Sequence, residues 1–132
     1  MQALSTLTKL IGVEPVLAPS MSESLAAHHV VSLDFIDSFV DGASVKRVGT
    51  KTFDICEKVL DRMLVVEKNI LCQTMLELYE FYGMIAEPAG ALSVAALEQI
   101  RDEIKGKTVV CVISGGNFDT KRFPEIKALA HN

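Results

Sequence analysis

Short apolar runs alternate with stretches of helical period along this chain, and that alternation limits the folds open to it. KLIGVEP, residues 9–15, is an apolar run closed by Pro15 and reads as a strand. PSMSESLAAHH follows as a helix, with Ser20 as N-cap and Glu23 three residues on, a capping-box spacing. VVSL, residues 30–33, reads as a short strand, and FVDGASVKRVG as a loop. In TKTFDICEKVLDRM, residues Phe53, Cys56, Val59, Leu60 and Met63 recur near helical spacing. MLVVE is a further strand, and EKNILCQTMLELYEFYGM a helix ending near Gly83. EPAGALSVAALEQIRDEI opens on proline and small residues and continues as a helix. KGKTVVCVIS is the clearest strand of all, and FPEIKALAHN a last helix with Pro124 in its first turn. Such an order implies an α/β domain with a mainly parallel sheet flanked by helices. The last strand is apolar on both faces, as a sheet covered on both sides requires.

Composition narrows the function. The 132 residues amount to one domain, and 49% hydrophobic content suffices for a core. The net charge of −4 is scattered, with no clustered basic face for nucleic acid. No apolar run reaches the roughly 18 residues of a membrane span, and the N-terminus lacks the apolar stretch of a signal peptide. The three cysteines show no CxxC spacing; Cys56 and Cys111 read as buried thiols in a reducing, cytoplasmic setting, and no structural metal is expected. His28 and His29 are adjacent, so on a helix they point about 100° apart and make poor joint ligands.

In VVCVISGGNFD, residues 109–119, the β-branched run stops at a serine and two glycines. Ligands of parallel sheets bind beyond the carboxyl ends of strands, where Ser114, Gly115 and Gly116 would lie. Neither GxGxxG nor GxxxxGK[ST] is present. Glycines there could admit a phosphate or a flat ring close to backbone, and Ser114 offers one hydroxyl. A tight turn leaving a central strand is the competing reading.

The segments IGVEP…APSM…SL, FVDGASVKRVG, TFDICEKVLDRMLVVEKNIL, AEPAGALSVAAL and KGKTVVCVISGGNFDTKRFPEIK follow one another as in threonine dehydratases (threonine ammonia-lyases). The chain resembles these fold-type II pyridoxal phosphate enzymes over nearly its whole length. EPAGAL and NFD…RFPEIK look more like the biosynthetic threonine enzymes of isoleucine biosynthesis than like the racemases. The resemblance covers only the second half of a catalytic domain, part of the large domain of the fold. The family's Schiff-base lysine, its asparagine beside the ring hydroxyl and its glycine-rich phosphate loop have no match here, nor has a regulatory domain. The expectation is a fragment, inactive alone, of a lyase that converts threonine or serine to a 2-oxo acid and ammonia.

The resemblance also implies roles. Ser114, with Gly115 beside it, would hydrogen-bond the pyridine nitrogen of pyridoxal phosphate. A neutral hydroxyl there leaves the ring less electrophilic than a carboxylate would, which suits β-elimination. Gly42 and Ala43 would lie against the cofactor face, though Asp41-Gly42 is also a common turn pair. Relatives carry a branched apolar residue and then alanine after this glycine, where Ala43 and Ser44 stand here. Glu87 would sit near the ring, or serve only the positive end of the following helix. Lys46 matches a lysine outside the Schiff-base role and reads as surface. Racemase-like members bind a cation through positions matching Glu14, Ala18 and Ser20; serine at the last removes a hard anionic oxygen, so no metal is expected. Asn117 and Asp119 read as loop hydrogen-bond formers that hold the serine in place, not as reactants. The implied partners are the amino-acid substrate, the missing N-terminal half and further copies, since an uncovered sheet edge invites association. The rival reading is a non-catalytic small-molecule-binding or regulatory α/β module.

Overall fold

Strand β1 (Ile11–Pro15) lies parallel to β2 (Arg62–Val66), with Ile11 opposite Arg62 and Pro15 opposite Val66. The computed structural model describes residues 7–115 and 118–131. Between the two strands run helix α1 (Ser20–Ala27), a 3-10 turn over Ser38–Val40 and helix α2 (Thr50–Val59). After β2 come α3 (Lys68–Tyr82), α4 (Pro88–Ala95), a 3-10 stretch over Ala96–Ile100, α5 (Arg101–Ile104) and α6 (Phe123–Ala130). The expected α/β class and parallel pairing hold.

The core sits where α3 packs on α4 and α6. Leu71, Cys72, Met75 and Leu78 share one face of α3 at helical spacing and are buried against Ala91, Leu92 and Ile126. Gly83 ends α3 in the left-handed conformation, and its N–H returns to the carbonyl of Tyr79, 3.0 Å away. Phe123, at the start of α6, stacks at 5.2 Å on Tyr79 and at 5.3 Å on Phe118. A second small cluster of Met21, Val48 and Phe53 joins α1 to α2.

Several expectations change in three dimensions. Ser20 is not the N-cap of α1: Pro19 holds that position, and no adjacent side chain caps it. The carboxylate of Glu14, at the end of β1, does so instead. It accepts from the backbone N–H of Met21 and of Ser22, both at 2.8 Å, and from the Ser22 hydroxyl. VVSL forms only an isolated antiparallel bridge, Ser32 to Arg47. Helix α2 stops at Val59, because Leu60 turns extended to enter β2. The long helix expected over residues 87–104 is one α-helix, a 3-10 segment and a last α-turn. Cys56 and Cys111 are half-buried, whereas Cys72 is fully buried.

The largest departure concerns KGKTVVCVIS. It joins no ladder among the described residues, and Val110 and Val112 are exposed. A strand needs a neighbour to satisfy its backbone, and none of the described residues supplies one. β-propensity alone does not make a ladder.

Candidate functional site

Three segments distant in sequence meet at the N-terminus of α4. Glu87 is extended (φ −70°, ψ 162°) and precedes Pro88, whose ring is preset for the first helical turn. Its N–H donates to the carbonyl of Gly115 at 2.9 Å. Gly115 has φ +80°, the left-handed region, and a Cβ there would lie 2.0 Å from Cδ of Glu87. Gly90 is buried one turn into α4, and a Cβ on it would stand 1.7 Å from the carbonyl oxygen of Ser114. Backbone therefore touches backbone here, and only glycine permits it.

The 38–44 loop closes the third side. A Cβ on Gly42 would meet Cβ of Ala89 at 3.0 Å and Oε1 of Glu87 at 3.8 Å. Gly42 is not among the described glycines with positive φ, so space rather than turn geometry demands it. Ala43 follows, half-buried against the core, with its N–H bonded to the carbonyl of Val40 at 2.9 Å. The side-chain oxygen of Ser44 is buried with no hydrogen-bond partner among the described residues.

Four of the five expected residues, Ser114, Gly115, Gly42 and Glu87, thus adjoin one another through Ala89 and Gly90, and Ala43 is the loop's next residue. Asn117 and Gly116 lie outside the described residues. Asp119, expected to hold the serine in place, instead accepts through its carboxylate from the N–H of Lys121 at 3.0 Å and caps the 3-10 turn over Thr120–Arg122. The amine of Lys46 donates to the carbonyl of Asp34 at 2.9 Å on an exposed surface, away from chemistry. Glu14 is engaged by the N-terminus of α1, and the buried hydroxyl of Ser20 has no partner among the described residues.

One supporting cluster escaped sequence reasoning. The buried ring of Phe39 lies between two cations, with Nζ of Lys68 5.0 Å and the guanidinium of Arg122 4.8 Å from its centroid. Arg122 also donates to the Phe39 carbonyl at 3.3 Å. Asp37 accepts from the Phe39 N–H at 2.7 Å and pairs with Lys68. The Lys68 hydrogen bond, followed by that of the Phe39 N–H, holds the Asp37 carboxyl below its ordinary range. The cluster ties the 38–44 loop to α3 and α6. Its members stand at positions 37, 39, 68 and 122, with no local pattern to reveal them.

The sequence model of the family described as "Pyridoxal-phosphate dependent enzyme" matches residues 1–115. The chain belongs to that family. Among family members, it is 51% identical over 126 residues to the biosynthetic L-threonine dehydratase of Halalkalibacterium halodurans. It is 56% identical over 120 residues to that of Bacillus subtilis. These alignments cover 96% and 91% of this chain but 30% and 28% of the relatives, so the chain spans under a third of their length. Its fold matches the processed form of threonine deaminase isoform 2 from Solanum lycopersicum with a TM-score of 0.92 and 32% identity. That match covers 99% of this chain and 39% of the other. Pyridoxal phosphate is the cofactor of the complete enzyme in this family.

Proposed function

We propose that this chain supplies one wall of the cofactor site of a pyridoxal phosphate-dependent threonine or serine dehydratase, completed by the region its longer relatives carry. The supporting observation is the meeting of Gly42, Glu87 and Gly115, where missing side chains let the 38–44 loop and the Ser114 loop pack onto the N-terminus of α4. The residues fit the group in one respect: Ser114, held beside Gly90 and Gly115, is exposed and offers a neutral hydroxyl. When bound, pyridoxal phosphate supplies an electron-withdrawing ring that makes the α-proton of an amino acid removable. Ser114 keeps its proton and donates it as a hydrogen bond to the ring nitrogen, so that nitrogen stays neutral. Gly42 and Ala43 face the ring and exclude water from that side. Glu87, fixed by its bond to Gly115, orients the Ser114–Gly115 loop.

Nucleophile and phosphate grip come from elsewhere. Lys46 and Lys68 are committed to Asp34 and Asp37, and neither is at the wall. The proposed substrate is an amino acid with a β-hydroxyl, and the products are a 2-oxo acid and ammonia. Proposed partners are the complementing region and further copies of this chain, and the proposed compartment is the cytoplasm. Among the described residues no helix is long and apolar enough to cross a membrane.

The test mixes the purified chain with pyridoxal phosphate and a recombinant N-terminal region of a related dehydratase, then assays 2-oxo acid release from threonine. Activity in the mixture alone supports the proposal. Activity of the chain by itself refutes the assignment of nucleophile and phosphate grip to the other region. No activity in any combination, with an amino acid bound tightly regardless of pyridoxal phosphate, favours the non-catalytic module.

A further inference from the structure

Two cations reach one ring from the core, and that ring belongs to a loop of the candidate site. Lys68 is the first residue of α3, and Arg122 closes the 3-10 turn that enters α6. The base of Arg122 is anchored without help from the loop. Its N–H donates to the Asp119 carbonyl at 2.9 Å, and Phe123 beside it stacks on Tyr79 and Phe118. The guanidinium is held at two further points, Nε donating to Glu125 at 3.1 Å and Nη2 to the Phe39 carbonyl at 3.3 Å. A planar fork that spans both has its orientation set, and its centre stands 4.8 Å from the Phe39 centroid. Lys68, paired with Asp37, lies 5.0 Å from the same centroid. Less than a third of either cation's side chain is exposed, so water competes weakly for both charges. Burial alone would keep a phenyl ring out of water without setting its tilt; a cation over its face sets the tilt as well.

Phe39 passes its position on. The carbonyl of Val40, next in the chain, accepts from the N–H of Ala43 at 2.9 Å and of Ser44 at 2.8 Å. The turn is thereby tied to Phe39, and it brings Gly42 so near Ala89 that a Cβ on the glycine would stand 3.0 Å from the alanine methyl. We propose that Arg122 and Lys68 are positioning residues: through Phe39 they set the 38–44 loop against the N-terminus of α4, and so fix Gly42 and Ala43 relative to Glu87. The meaning of that placement for the cofactor wall rests on the proposed function; the placement itself does not.

Nuclear magnetic resonance of the full chain reads the placement. In the parent, the α-protons of Gly42 give a nuclear Overhauser effect to the Ala89 methyl, and the amides of Ala43 and Ser44 are protected from hydrogen exchange. Arg122→Met keeps the stem and removes the fork. The Overhauser effect is then lost and the two amides exchange about tenfold faster, while those of Met75 and Leu78 inside α3 keep their parent rates. Phe39→Leu, which keeps a buried apolar side chain, does the same, and Arg122→Lys returns most of the protection. Either of the first two variants retaining both signals overturns the proposal, since burial alone then places the loop. An equal rise of exchange inside α3 overturns it too, because the role is then general stability. Should one variant fail to fold, the other decides. In the mixture with the complementing region, Arg122→Met should raise the pyridoxal phosphate concentration for half-maximal activity about tenfold. A displaced loop with that concentration unchanged overturns the positioning role. A mixture inactive even with the parent chain counts against the proposed function and leaves the placement to the resonance data, so the two fail separately.

Discussion

Gly90→Ala opposes two physical rules at one position. Gly90 lies inside α4, where alanine should stabilise a helix by about 1 kcal/mol. Tertiary geometry gives the other sign. The added methyl would stand 1.7 Å from the Ser114 carbonyl oxygen, whereas carbon and oxygen rest about 3.3 Å apart, so the 112–115 backbone must retreat about 1.5 Å. Retreat breaks the Glu87 N–H to Gly115 carbonyl bond and the Ser93 hydroxyl to Val112 carbonyl bond. At about 1 kcal/mol each, with overpacking strain added, these outweigh the helical gain and leave a net loss of about 1–3 kcal/mol. For a chain of this size the thermal midpoint falls by about 3–10 °C. Thermal unfolding followed by circular dichroism measures it, and hydrogen exchange at the Glu87 amide shows whether its acceptor has left. A Gly90→Ala variant as stable as the parent, with that amide still protected, would refute the close approach of α4 to Ser114.

Glu14→Ala removes the acceptor of two helix N–H groups and a hydroxyl, and should cost about 2–4 kcal/mol in urea unfolding; a cost under about 0.5 kcal/mol would mean solvent caps α1 equally well. Phe39→Ala empties the site between Lys68 and Arg122 and should cost about 3–5 kcal/mol in the same assay. Asp37 has its pKa lowered on folding, so its contribution is present above the unfolded value of about 4 and is lost as pH falls through the folded one. Asp37→Asn should therefore flatten the acid side of the stability profile below about pH 4, and an unchanged profile would count against the Lys68 pairing. Burial pushes the Cys72 thiol up to about 11, while Cys56 and Cys111 are half-buried. Alkylation at about pH 8 should label those two first and Cys72 only on unfolding, as read by peptide mass spectrometry.

What the sequence determined by itself was local. The helical period of α3, the Gly83 stop, the Pro124 start of α6 and the two apolar runs of β1 and β2 follow from neighbours within a few residues, whose sterics act in any context. The serine and glycines after Ile113 announced a close approach of backbone to something, but not that the something includes Gly90 and Glu87 of the same chain. Tertiary structure decided the rest. Glu14 takes the capping role that Ser20 had by spacing, because β1 ends beside the first turn of α1 and an ionised carboxylate is the stronger acceptor. Phe39 holds its loop through cations 29 and 83 residues away along the chain. Residues 109–113 have the composition of a central strand and no ladder among the described residues, since a strand's hydrogen bonds are closed by another segment and never by its own.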